Sequence, residues 1–467
     1  MTSTTTHRSA DPAAAAPDQP QVFDLVGIGV GPFGLGLAAL SQPLIERGEL
    51  SACFFDEREG FCWHPGMLLP EATIQVPFMA DLVTLADPTS RFSFLNYVKH
   101  QGRIHQYYIR ESFYPLRSEY SEYCAWVADQ LDSVHWNNRV TAVRHAPEQN
   151  AETGARWLVE VAEPGRVEPR RVLARNVVSG VGTAPFVPEP LRGALGNPGV
   201  LHSSEYLDHA EELTQADSVT VVGSGQSAAE IYRDLLDGAA QRGSRLDWIT
   251  RSPRFFPMEY TKLTLELTSP EYTRYFHGLD LPTRDRLNRS QRNLYKGISE
   301  DLVNDIYDTL YRLNVQGGVN TTLRGGISAS WVPAEQSDAP QPTDGTSGRY
   351  RLALEHAESG ASGVTATDAI VLATGYRAPQ FPPFFEPIRE NIRLDEKGRY
   401  DVGLEFDIDD AGSLFVLNAE EHTHALNAPD LGMGPWRNSI ILQRILGREV
   451  YQIERSMCFQ SFGGANL

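Results

Sequence analysis

An α/β architecture of two doubly wound units, one inserted into the other, is predicted by two observations. A short apolar run, a glycine turn and a helical pattern follow one another twice, in VFDLVGIGVGPFGLGLAAL (22–40) and in SVTVVGSGQSAAEIYRDLL (218–236). Each beginning also has a matching end, because NVVSGVGTAP (176–185) and AIVLATGYRAP (369–379) are apolar runs that close on glycine and then proline. Strands alternating with helices argue for parallel sheets covered on both faces.

The elements follow in chain order. Residues 1–21, rich in Thr, Ala, Pro and Asp and without a secretory apolar region, read as a disordered tail. Residues 22–204 form the first part of one dinucleotide-binding domain, with strand, turn and helix at its start. Residues 205–375 form the second, inserted domain. Within it 257–313 becomes polar and helical, with Ser299 as an N-cap candidate before EDLVNDIYDTLYRL, and reads as a helical part over the site. The Pro- and Ser-rich stretch 333–347 reads as an exposed loop. Residues 376–467 return to the first domain.

The length of 467 residues suits two or three domains, and 41% hydrophobic content supplies their cores. A net charge of −19 repels phosphate backbones and anionic lipid, so neither nucleic acid nor membrane is an expected partner. Cys53, Cys62, Cys124 and Cys458 have no zinc, dithiol or disulfide spacing, which points to a reduced cytoplasm and no metal site.

In the first fingerprint, Gly27-x-Gly29-x-x-Pro32, the backbone through Gly31 can bring a pyrophosphate against the N-terminus of the following helix. The next strand ends at Asp56 and Glu57, where a carboxylate can accept hydrogen bonds from ribose hydroxyls. FAD is the dinucleotide expected there. The second fingerprint, Gly223-x-Gly225-x-x-Ala228, with Gln226 and Ser227 in the turn, continues instead to Arg251 and Ser252 after the strand LDWIT. A guanidinium where the ribose is read suits the 2′-phosphate of NADPH, although an exposed arginine is also an ordinary surface residue. Nicotinamide and flavin in one chain pass a hydride to an acceptor. No paired cysteines flank the flavin position, so the expected acceptor is dioxygen.

These residues resemble the flavin-dependent N-hydroxylating monooxygenases of siderophore biosynthesis, which act on lysine, ornithine or related amines. The resemblance is carried by FCWHPGMLLPEATIQVPFMADLVTLADPTSRFSFLNYV (61–98), by both fingerprints, by ATGY with Thr374, Gly375 and Tyr376, and by the segment from Asn418 to Asn438. It implies that Trp63, His64, Met67 and Gln75 lie near the flavin ring, and that backbone N–H groups at Leu431, Gly432 and Met433 meet its pyrimidine edge. From the residues alone, Trp63 and Met67 could equally be core and His64 a structural histidine. The resemblance further implies a C4a-hydroperoxyflavin as the oxygenating species, and a homo-oligomer, tetrameric in many relatives.

The amino-acid hydroxylases commonly carry FLKDL, whose lysine grips the substrate carboxylate; this chain has FMADL, with Ala80 in that place. Leu265 stands where the ornithine enzymes have an asparagine. A carboxylate left unpaired would cost about 3–5 kcal/mol, so a small-molecule diamine, putrescine or cadaverine, is the expected substrate. Lys262 could replace the missing clamp from another position. Asp81 and Glu266 are the candidate acceptors for the distal ammonium. The rivals are an L-lysine N6-monooxygenase and, in another class, a dinucleotide-binding regulator without turnover.

Overall fold

The computed structural model describes residues 20–333, 340–378 and 381–463. Most of the expected tail, and part of the expected 333–347 loop, therefore lie outside the described residues.

The first sheet is built on the strand Val22–Ile28, which pairs in parallel with Ala52–Phe55 on one side and Arg170–Ser179 on the other. Leu414–Val416, from the C-terminal part, pairs in parallel with the end of Arg170–Ser179, so the chain returns to this sheet after the second unit. Trp157–Ala162 and Arg139–His145 extend the same sheet antiparallel. One face buries Leu25 and Phe54 with Leu35, Leu37, Tyr120 and Ile441 from three helices, Pro32–Glu46, Arg117–Ala128 and Met433–Leu446. The opposite face packs Val26, Phe55 and Val177 against Phe385 and Ile388.

The second sheet runs Thr321–Arg324, Arg245–Ile249, Ser218–Val222, Ala369–Leu372 and Val200–His202, all parallel. Val200–His202 lies before residue 205, so the second sheet begins earlier in the chain than the expected boundary; its strand is apolar and completes the edge beside Ile370. Helix Gln226–Arg242 covers one face through Ile231, Leu235 and Leu236. An antiparallel sheet of Ile327–Val332, Tyr350–His356 and Ser362–Thr367 covers the other through Tyr350, Leu352 and Leu354.

The segment 257–313 does not form one helical body. Helix Glu300–Val315 buries Ile306 and Leu313 in the core of the second unit, because its apolar positions recur at helical spacing toward Leu236. The shorter helices Pro270–His277 and Leu281–Ser290 turn instead to the C-terminal part, where Asp285 pairs with Lys397 and Arg399 and Asn288 donates to the Glu421 carbonyl at 3.0 Å. Ser299 occupies the N-cap position, yet its hydroxyl does not cap the helix; it accepts from Gln226 Nε2 at 3.4 Å. No helix among the described residues is long and apolar enough to cross a membrane.

Candidate active site

A cavity of ≈ 1390 Å³ runs between the two units, and both fingerprints open on it. It is lined by Gly29, Gly31, Pro32 and Glu57 around the first turn, by Trp63, His64, Met67, Gln75 and Tyr376, and, from the second unit, by Gln226 and Ser227. The helical segment contributes Met258, Glu259, Tyr260, Thr264, Leu265, Leu294 and Tyr295, and the C-terminal part Pro429, Asp430 and Leu431.

The first turn is shaped for a phosphate group. Gly29 has a φ of 90°, and a side chain there would meet the Gly180 carbonyl at 2.6 Å, so glycine is required by the protein itself. Gly31 is different: a Cβ would meet nothing within 4 Å, and the residue borders the cavity. The space before helix Pro32–Glu46 is thus left open to a ligand approaching its N-terminal N–H groups. Proline at the third fingerprint position sits at the first helical residue, where a missing N–H costs nothing. Gln75 gives a second sign of an absent partner, because its buried Nε2 has no hydrogen-bond acceptor. These residues fit a flavin dinucleotide.

Asp56 is already engaged by the protein itself. Its carboxylate accepts the Val30 N–H at 2.7 Å and the Arg58 guanidinium at 2.8 and 2.9 Å. Burial opposes its ionisation, but Arg58 and the Val30 and Arg58 N–H groups outweigh it and hold the carboxyl below its usual range. Asp56 therefore braces the glycine turn, and both it and Glu57 line the cavity.

Around the expected flavin ring, His64 takes a left-handed backbone conformation and contacts Trp63 and Tyr376, with ring centres 5.0 and 5.3 Å away. Burial, then the nearby Arg117, pushes its pKa down to about 4, so the imidazole is neutral at physiological pH. Tyr376 in turn contacts His202 edge-on, and His202 bonds the Gly375 carbonyl at 3.1 Å. Met67 is buried against Leu201 and Tyr206 of the second unit and also lines the cavity. Thr374 lies off the wall, its hydroxyl donating to the Phe186 carbonyl at 2.6 Å.

In the second unit, Gly223 approaches the Ala373 carbonyl so closely that a Cβ would stand 2.2 Å from it, and Gly225 caps helix Gln226–Arg242. Gln226 is fixed by Glu230 at 3.0 Å and by the Ser299 N–H at 2.8 Å. Arg251 and Ser252 lie outside the cavity wall, just beyond strand Arg245–Ile249, with Arg251 exposed.

Two expected substrate residues are corrected. Asp81 is buried away from the cavity and accepts the Val83, Thr84 and Phe94 N–H groups and the Thr84 hydroxyl, so it ties a turn. Glu266 accepts from Phe459 and Gln460 N–H at 2.9 and 3.0 Å and secures the C-terminal segment. Ala80 is also buried off the wall, leaving Leu265 as the one expected substrate residue that borders the cavity. Gly432 and Met433 stand behind Leu431 at the start of helix Met433–Leu446. Lys262 is exposed and lies off the wall.

Other residues emerge only in three dimensions. Arg117 lines the cavity and pairs with Glu230 of the second unit. Arg437 and Glu420 form a fully buried pair; the guanidinium lies 4.4 Å from the ring centre of the cavity-lining Phe33 and donates to the Ala428 carbonyl at 3.1 Å. It thereby joins the first fingerprint helix to the segment that carries Asp430. Neither pair has a spacing that marks it in the sequence.

Two glycine turns facing one cavity, with the second unit inserted into the first, are the arrangement of a two-dinucleotide flavoprotein. The chain belongs to the L-lysine 6-monooxygenase/L-ornithine 5-monooxygenase family, whose model matches residues 21–378, and it is a flavin-dependent N-monooxygenase. It is 42% identical over 446 residues to putrescine N-hydroxylase of Shewanella oneidensis, spanning 96% of this chain and 85% of that protein. Its structure is similar to that of the FAD-bound cadaverine monooxygenase of the desferrioxamine pathway from Erwinia amylovora, with a TM-score of 0.87 and 44% identity over 95% of this chain and 99% of that one. The ornithine N-hydroxylase of Kutzneria, solved with reduced FAD, NADP+ and L-ornithine, is similar at a TM-score of 0.78 and 28% identity, covering 91% and 99% of the two chains.

Proposed function

We propose that this enzyme hydroxylates one primary amine of a short aliphatic diamine, putrescine or cadaverine, for hydroxamate siderophore synthesis, using FAD at the first fingerprint and NADPH at the second. The balanced reaction is amine + NADPH + H+ + O2 giving N-hydroxyamine + NADP+ + H2O. The carrying observation is the charge of the cavity wall. Its described arginines are Arg58, held by Asp56; Arg117, held by Glu230; and Arg139, beside Val140 and Thr141 at the end near Glu57. The wall formed by 258–268, 294–295 and 429–431 contains Glu259 and Asp430 and no Lys or Arg. A substrate carboxylate would meet acids there, whereas an ammonium is welcome. The similarity to diamine hydroxylases at 42% and 44% identity supports the same reading.

When bound, NADPH supplies the hydride and FAD with O2 the electrophilic oxygen. The chain's own residues bind, orient and exclude water. Glu57 would face the adenosine ribose, the turn at Gly31 would hold the pyrophosphate, and Gln75 would offer its free Nε2–H to the ring. Neutral His64, with Trp63 and Tyr376, would line the ring without offering a mobile proton to it. The reacting amine needs its lone pair, and a free alkylammonium has a pKa of about 10.4, so the apolar Met258, Leu294 and Leu431 would favour its neutral form.

Mass spectrometry of the product from an equimolar mixture of lysine, ornithine, putrescine and cadaverine tests the reading. N-hydroxydiamine is expected to dominate. Preferential hydroxylation of lysine overturns it, and a colourless protein that consumes no oxygen with NADPH would make it a regulator instead.

A further inference from the structure

Asp430 lines the cavity wall half-buried, and no cationic side chain among the described residues bonds it. The carboxylate accepts the Met433 N–H at 3.0 Å through Oδ1 and also the Gly432 N–H, but no side chain among the described residues bonds it. The cation nearest in effect, Arg437, is taken by Glu420 and by the Ala428 carbonyl. Burial raises the Asp430 pKa, and the two N–H groups offset this in part.

Gly432 shows how closely the carboxylate is set. A Cβ at that position would stand 3.0 Å from Asp430 Oδ1 and 3.5 Å from the Ala80 methyl group. Ala80 and Asp430 therefore flank the same point. A basic side chain at position 80 would neutralise the carboxylate; alanine leaves its charge uncompensated and the space beside it apolar. A carboxylate partly withdrawn from water gains from a cation set beside it, and Asp430 borders the cavity, from which one can come.

We infer that Asp430 is the specificity-determining residue that receives the distal ammonium of the diamine, with Ala80 keeping the place free of competing cations. This rests on the reading of the protein as a diamine hydroxylase. Glu259, the other acid of this wall, is exposed, and water screens its charge. Asp56 is closed by Arg58, and Glu57 follows it just beyond strand Ala52–Phe55, beside the first fingerprint. The sign of the anchor thus fixes the substrate class: a second ammonium is held where an α-carboxylate would be repelled.

Asp430→Asn is the decisive variant, because an amide oxygen still accepts the Met433 N–H while the charge is gone. Calorimetric binding to the oxidised holoenzyme, and steady-state turnover, are measured with putrescine and cadaverine and with n-butylamine and n-pentylamine, which lack the distal ammonium. In Asp430→Asn the diamine affinity is expected to fall, and KM to rise, by at least about tenfold, with monoamine binding and flavin content unchanged. Glu259→Gln is expected to shift diamine affinity by no more than about twofold. Unchanged diamine affinity in Asp430→Asn, an equal loss for diamines and monoamines, or loss of FAD overturns the assignment. Failure of the substrate reading itself shows separately, as a wild-type enzyme that hydroxylates lysine and neither diamine.

Discussion

Arg117 and Glu230 face each other across the boundary between the two units, joined by two parallel hydrogen bonds of 2.9 and 2.7 Å. Arg117 opens helix Arg117–Ala128 in the first unit and also donates to the Met67 carbonyl at 2.7 Å; Glu230 lies on helix Gln226–Arg242 and holds Gln226 at 3.0 Å. One ion pair thus connects the residues around the expected flavin with the turn expected to receive NADPH. The fork of the guanidinium matches a carboxylate in both distance and angle, which a lysine could not do.

Glu230→Gln leaves a nearly buried guanidinium without its counter-charge. A loss of stability of about 3–5 kcal/mol is expected, read as a lower melting temperature. Because Gln226 also loses a charged partner, anaerobic bleaching of the flavin by NADPH is expected to slow, while bleaching by dithionite is unchanged.

The two glycines of the first turn should separate folding from cofactor binding. Gly29→Ala forces a left-handed residue against the Gly180 carbonyl and is expected to cost about 1–3 kcal/mol or more of stability. Gly31→Ala meets no protein atom, so the apoprotein melts as before while FAD retention, measured by absorbance after gel filtration, falls.

Arg251 stands exposed beyond its strand, where a 2′-phosphate would arrive. Arg251→Ala is expected to raise KM for NADPH by about tenfold and to leave KM for NADH unchanged. Equal effects on the two nucleotides would make Arg251 a surface residue.

His64 carries a pH signature. Its folded pKa of about 4 lies below the ordinary 6.5, so the unfolded chain takes up the proton first as the pH falls. The neutral imidazole costs nothing above pH 6.5; stability declines between 6.5 and about 4. Urea midpoints at pH 8, 6 and 5 should therefore fall more steeply for the wild type than for His64→Gln.

Local grammar determined much of this protein. A strand, a glycine turn and a helix N-terminus are neighbours in the chain, so both fingerprints and the inserted order of the units could be read from FDLVGIGVGP and TVVGSGQSAA. The absence of a lysine at position 80 was equally legible, since it is a statement about one residue. Tertiary structure decided what distant segments do for one another. Asp81 and Glu266 looked like cavity acids because they lie near the motif in sequence, yet each is consumed by N–H groups of a turn or of the C-terminal segment. Asp56 looked free and is held by Arg58. Asp430, 350 positions from Ala80, becomes its neighbour only when the C-terminal strand Leu414–Val416 returns to the first sheet and sets helix Met433–Leu446 beside helix Pro32–Glu46. Hydrogen-bond saturation and charge compensation are properties of folded surroundings, and no spacing along the chain encodes them.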